Sequence, residues 1–306
     1  MKLFENKSNI PLDVIRYIDT FLYIKLNNKT IRHAVKMYFE NKEQCLLLYG
    51  PMEYWKTGNV TDMSRLFAFS NKKIPDISRW NVKNVTNMAH MFYYVENYNF
   101  NICNWNVSNV RNMAGMFSQA KLFNCDISTW DVGNVKDMSN MFSFAEKFNG
   151  NISNWNVSNV VNMSKMFFRS TNFNCNISQW NLSNVNDMSS MFSCAVNFDQ
   201  KLNNWNVSNV TNMLCMFYYA KNFNCDLFEW NVSNVTDMSY MFSYASSFNS
   251  NISNWNVSNV RNMSCMFCQC TKFNQNISKW NVRNVTDTRY IFDECNIREQ
   301  YKPIFI

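Results

Sequence analysis

The sequence predicts an α/β solenoid: ten copies of one 25-residue strand, turn and short-helix unit, entered through a helical N-terminal segment. Three observations predict it. The ten tryptophans, from Trp55 to Trp280, stand 25 residues apart without an insertion or deletion, and a fixed period of roughly 20–50 residues is the signature of stacked repeats. Asn and Val follow every Trp at the fourth and fifth places, and Phe follows at the twelfth. The 306 residues hold only five glycines and four prolines, too few to punctuate a varied domain, while a 47% hydrophobic content supplies a continuous core.

Positions are counted here from each Trp, so that Asn59 stands at +4. In the stretch from Ile152 to Val160, the alternation of Trp155 and Val157 predicts a short strand with one buried face. An Asn or Asp at +7, from Asp62 to Asp287, predicts a helix N-cap. Met163, Met166 and Phe167, with Ala145 or Ala245 at the next turn in other units, are spaced as the buried stripe of a short helix. One unit cannot bury its own apolar face, so ten must stack, at roughly 4.8 Å per strand step. The Trp column (Trp80, Trp105, Trp130, Trp155, Trp180, Trp205, Trp230 and Trp255) is the expected core. The +4 column, including Asn109, Asn159, Asn209 and Asn259, is expected to form a side-chain hydrogen-bond ladder that satisfies the turn backbone.

The run I-S-x-W-N-V-S-N-V-T-[ND]-M-S-x-M-F-x-x-A-x-x-F-N resembles the 25-residue repeat of the BspA-like leucine-rich-repeat surface-protein family over residues 52–301, leaving 302–306 as a C-terminal tail. The leucine-rich-repeat template falls on Ile152, Trp155 and Val157, with its Asn one place early at Asn159. The resemblance implies a leucine-rich-repeat-like, parallel-strand solenoid used for binding, and the early Asn leaves the horseshoe curvature open.

Residues 1–51 lack the repeat and read as helical from Pro11 onward, with Val14, Ile15, Ile18, Phe21 and Leu22 on one face. The segment NIPLDVIRYIDTFLYIKLNN is similar to the opening of an F-box, a pairing with repeats known among giant-virus proteins. Two readings stand: residues 1–50 cap the solenoid's exposed end, or they dock a Skp1-like adaptor and make the chain a substrate receptor for a cullin-type ubiquitin ligase.

The remaining features narrow the function classes. The N-terminal stretch carries Glu5, Asp13, Arg16 and Asp19 where a secretory signal needs an unbroken apolar run, and no stretch approaches the roughly 18 apolar residues of a membrane span. A soluble, cytoplasmic protein is expected, in the host cytoplasm if viral, with its sequons unglycosylated and its eleven cysteines reduced. Cys265, Cys268 and Cys270 lack a second ligand pair, so no metal is expected. His33 and His90 lie far apart without an evident partner, and no Gly-rich phosphate loop occurs, so neither an enzyme nor a cofactor is expected. The net charge of +7 is spread along the chain; Arg111, Lys136 and Arg261 at +6 read as a solvated face, and no nucleic-acid partner is expected.

What remains is a non-enzymatic protein-interaction scaffold, with the ubiquitin-ligase receptor as the second reading. The strand ribbon repeats Asn and Ser (Asn156, Ser158, Asn206, Ser208), whereas +10, +13 and +14 vary from unit to unit. The candidate partner-binding residues are therefore Tyr93, Tyr94, Phe144, Phe168, Tyr218, Tyr219, Tyr240 and Tyr244, because aromatic anchors dominate protein interfaces.

Overall fold

The computed structural model describes residues 25–99 and 101–305. Most of the F-box-like stretch, including the helix expected from Pro11, lies outside the described residues. Helix α1 (Asn28–Glu40) begins at a capping box, where the Asn27 side chain accepts from the backbone of Lys29 and Thr30 and Thr30 reaches back to Asn27. Its Ile31, Ala34 and Val35 are buried. Asn41 ends α1 and caps α2 (Lys42–Tyr49), which Gly50 terminates at φ 67°. Both helices lie against the first rung: Phe39 meets Phe67 at 6.4 Å and Tyr49 meets Trp55 at 6.1 Å, so each helix extends one of the aromatic columns described below.

From Trp55 onward the chain forms a stack of 25-residue rungs, but the rungs contain neither the expected strand nor the expected short helix. The strand is reduced to one residue per rung: the +7 residues form a ladder of isolated parallel bridges, Asp62 to Asn87, Asn87 to Asn112 and so on to Asp287. That residue, expected as an N-cap, caps no helix. Its side-chain oxygen accepts from the backbone N–H two residues on, as Asn162 does from Ser164 at 2.9 Å and Asp187 from Ser189 at 2.8 Å, which makes it an Asx turn. The α/β assignment with strand-turn-helix units is thus corrected to stacked turns.

Backbone bonding in the +8 to +15 segment explains why no helix forms. In the first rung the N–H groups of Met63, Arg65, Phe67 and Phe69 donate to the next rung, to the carbonyls of Asn87, Ala89, Met91 and Tyr93, at 2.8–2.9 Å. The alternate N–H groups of Leu66, Ala68 and Ser70 close three-residue turns onto Met63, Arg65 and Phe67. Every donor is used and none is left for the i to i−4 bonds of an α-helix. Packed helices need about 8–10 Å between axes, whereas backbone bonds between adjacent segments hold them at roughly 4.8 Å. A chain bonded to its neighbour on this flank has no room for a helix.

Alternating turns require left-handed residues, and the structure places them at +10 and +14 in every rung. Nineteen of these twenty positions are not glycine, with φ between 49° and 64°. Gly115 is the exception, at φ 59°. A left-handed L-residue costs about 1–2 kcal/mol, and the inter-rung bonds hold it there. Lys165, exposed at φ 56°, tests this: Lys165→Gly is expected to stabilise the chain by about 0.5–1 kcal/mol, the relief of strain less the extra unfolded-state entropy of glycine. A lower denaturation midpoint than wild type would contradict the strain.

The core is a set of parallel columns. Phe at +12 stacks from Phe67 to Phe292 with centroids 5.6–5.8 Å apart. A second column at +18 runs from Phe123 to Phe273 at 5.8–6.1 Å, and neighbouring tryptophans such as Trp230 and Trp255 stack at 6.3 Å. Within a rung the +12 and +18 rings stack on one another at 3.8–4.2 Å, so the two columns form one aromatic core. Each Trp from Trp80 to Trp280 is also pinned by its Nε1–H, which donates to the carbonyl 28 residues earlier at 2.9–3.2 Å.

Candidate interaction surface

The repeated asparagines do different jobs. Those at +1, +7 and −4 close Asx turns within their own rung, as Asn156 does for Ser158 and Asn151 for Ser153. Those at +4 join rungs: the amide of Asn109 donates to the Lys83 carbonyl, Asn159 to Gly133, Asn209 to Ser183 and Asn259 to Ser233, at 2.6–2.8 Å. Sequence reasoning missed a third set at +19. Asn149 accepts from the backbone N–H of Asn174, and its own N–H donates to Asn124, at 2.9 and 3.0 Å. The signal was the Phe-Asn pair that recurs there, Phe148-Asn149 and Phe173-Asn174 among them. The Asn and Ser ribbon is thus occupied by turn closure and rung joining, and it is nearly the same in every rung.

The turn flank differs from rung to rung. Met at +8 and +11 and Phe at +12 are buried in the central rungs, and large side chains at +10 and +14 such as Tyr94, Tyr240 and Tyr244 reach solvent, whereas the small Ser118, Ser143, Ser193 and Ser243 at +13 are buried. The structure gathers the eight aromatic candidates into three patches. Tyr93 and Tyr94 lie 6.1 Å apart, with Phe69 5.1 Å from Tyr93 and His90 edge-on to it at 5.5 Å. Burial and the nearby Arg65 guanidinium hold the His90 imidazole below its usual value, with Asp137 opposing. Gly115 makes room for this ring, since a Cβ there would lie 2.3 Å from His90 Nδ1. In the second patch Phe144 and Phe168 meet edge-on at 5.2 Å under the Arg169 guanidinium.

The third patch is the densest. Tyr218 contacts Tyr219, Tyr240 and Tyr244 at 5.9–6.4 Å, Tyr219 meets Tyr244 at 5.8 Å, and the Lys221 ammonium sits 4.5 Å above the Tyr219 ring. Tyr240 and Tyr244 remain exposed while Tyr218 and Tyr219 are half-buried, so part of each ring supports its neighbour and part faces water. Beneath them, burial pushes the Cys215 thiol up to about 11. At that value it is held as a neutral thiol. All eleven cysteines are free. Cys270 is fully buried at +15, where five of the other rungs place Ala, with its sulfur on the Ala245 carbonyl at 3.2 Å. Among the described residues no group of three or more His, Cys, Asp or Glu is placed to hold a metal ion, and no helix is long and apolar enough to cross a membrane.

Residues 33–149, 125–227 and 197–302 each match the family described as "Mycoplasma protein of unknown function, DUF285". The chain belongs to this family. Three overlapping matches in tandem agree with a BspA-like repeat protein. No curated protein matches the chain. Among solved structures, "Crystal structure of TLR13-ssRNA13 complex" aligns at 9% identity with a TM-score of 0.20, covering 78% of this chain and 42% of that one. The chain therefore spans less than half the length of that protein, and a likeness so distant carries no argument.

Proposed function

We propose that this family member is a non-enzymatic protein-interaction scaffold, with the turn flank as its binding surface and the tyrosine patch of Tyr218, Tyr219, Tyr240 and Tyr244 as its principal anchor. The observation that carries the reading is the patch itself: four tyrosines on adjacent rungs, mutually packed and still presenting ring edges and hydroxyls to water. Tyrosines held in this way lose little side-chain entropy on binding and bring a large apolar area with a polar tip. The tandem family matches, which suggest a repeat-based surface or interaction protein, support it.

The test compares two surfaces. Tyr218 and Tyr240 become Ser, already present at the same rung positions as Ser193 and Ser190, and Tyr219 and Tyr244 become Gln, as at Gln119 and Gln269. In parallel, Asn156, Asn206 and Asn231 become Ser on the ribbon, where a hydroxyl can still close the turn. With folding checked by thermal melting, recovery of a cross-linked partner from cell extract is expected to fall at least about thirtyfold for the tyrosine set, the loss typical of an interface anchor, and to persist for the ribbon set. The reverse result would move the binding surface to the ribbon.

A further inference from the structure

We propose that the cleft between α1 and the first rung binds an extended acidic peptide segment of a partner protein. The cleft encloses about 370 Å³, within the range of ligand sites, and three features of it point to one kind of occupant.

The first is backbone. Throughout the stack the carbonyls at +11 and +13 accept N–H groups from the preceding rung, as Met91 does from Phe67 and Tyr93 from Phe69. The first rung has no preceding rung, and α1 replaces one only in part. The Asn28 side-chain oxygen accepts from Thr61 and Asp62, standing in for a missing carbonyl, and the Arg32 guanidinium donates to the Ser64 carbonyl at 2.6 Å. The carbonyls of Leu66 and Ala68, which line the cleft, have no donor among the described residues. They stand two residues apart, the interval at which an extended chain presents its N–H groups along one edge.

The second feature is charge. Arg32, Lys36, Arg65 and Lys72 border the cleft. Arg32 is paired with Asp62 at 2.9 Å and Lys36 stands 3.9 Å from Glu40. Lys72 donates to the neutral Phe39 carbonyl, and Arg65 is exposed with no ion pair among the described residues. Positive charge is left in excess. The third feature is the apolar surface of Val35, Phe39 and Phe69 between these cations, with Phe69 continuing into the Tyr93 and Tyr94 patch.

The open carbonyls disfavour the simpler reading of a phosphate-ion site. Phosphate oxygens are acceptors and would face Leu66 and Ala68 oxygens without a donor between them, whereas a peptide brings N–H donors for the carbonyls and carboxylates for the cations together. The site is independent of the tyrosine patch more than five rungs away.

A labelled acetyl-Glu-Val-Glu-Val-Glu-amide, titrated with the full chain by fluorescence anisotropy, is expected to bind saturably, while the Lys-Val-Lys-Val-Lys counterpart does not. Two further peptides, N-methylated at the Val amides or at the Glu amides, test the backbone bonds without altering the protein: one of the two is expected to lose at least about tenfold in affinity, the other little. The Lys36→Glu, Arg65→Glu double variant changes two exposed cations and is expected to bind at least about tenfold more weakly. No saturable binding of the acidic peptide, equal binding by all three amide forms, or displacement by inorganic phosphate at the same concentrations as by unlabelled peptide would each overturn the proposal.

Discussion

Trp155→Ala is expected to cost about 3–5 kcal/mol, the range for deleting a large aromatic from a packed core. Trp155 is only 4% exposed and lies against the Phe142 ring at 6.2 Å. Its Nε1–H is the side-chain donor to the Ile127 carbonyl at 3.1 Å. Truncation therefore leaves a cavity bounded by rungs that cannot close over it, because their spacing is held by backbone bonds on the turn flank and by the +4 amides, and it takes a donor from a buried acceptor. Asn159→Ala provides the scale. The Asn159 amide joins the same two rungs through Gly133 at 2.7 Å, but the residue is exposed and water can replace the bond, so about 0.5–1.5 kcal/mol is expected. Urea denaturation followed by fluorescence would measure both. A Trp155→Ala loss no larger than that of Asn159→Ala would mean that the Trp column is not the principal source of rung stability.

Removing residues 152–176 as a block should leave a folded, shorter stack, and removing residues 152–163 should not. In the first case Asn151 is joined to Ile177 and the columns close in phase. Trp180 inherits the Ile127 carbonyl that Trp155 now uses, Asn184 inherits that of Gly133, and Phe192 stacks on Phe142 as Phe167 does now. Stability then falls by about one rung and its interface. In the second case Ser164 takes the place of Ile152, and Arg169 falls in the buried place of Val157, where an unpaired guanidinium is not tolerated. The alternative is to expel residues 164–176 as a loop, which strips Met166, Phe167 and Phe173 of their column neighbours. Limited proteolysis distinguishes the outcomes: the longer deletion should resist cleavage like wild type, and the shorter should be cut within 164–176 or unfold. Equal resistance of the two proteins would refute the rung register.

The sequence by itself determined the register of this protein. Ten tryptophans on a 25-residue interval, with Asn at +4 and Phe at +12, define which residues share a column, and the structure places Trp80 through Trp255 in the core and Asn109, Asn159, Asn209 and Asn259 on the inter-rung carbonyls. The sequence also showed that +10, +13 and +14 vary from rung to rung, but not that +13 is buried where it is serine, as at Ser143 and Ser243. Periodicity did not reveal the local conformation. Met163, Met166 and Phe167 are spaced as on a helix, yet inward side chains at +8, +11 and +12 are equally compatible with alternating left-handed turns, and the distinction depends on where the backbone N–H groups go. That is decided between rungs: once Lys165 N–H donates to the Ser189 carbonyl and Phe167 N–H to Met191, the helix has lost its donors and the neighbouring rung is too close for one. The same cause kept the Tyr218, Tyr219, Tyr240 and Tyr244 contacts and the open carbonyls of Leu66 and Ala68 out of the sequence, since each is a relation between residues that only stacking, or the lack of a preceding rung, brings about.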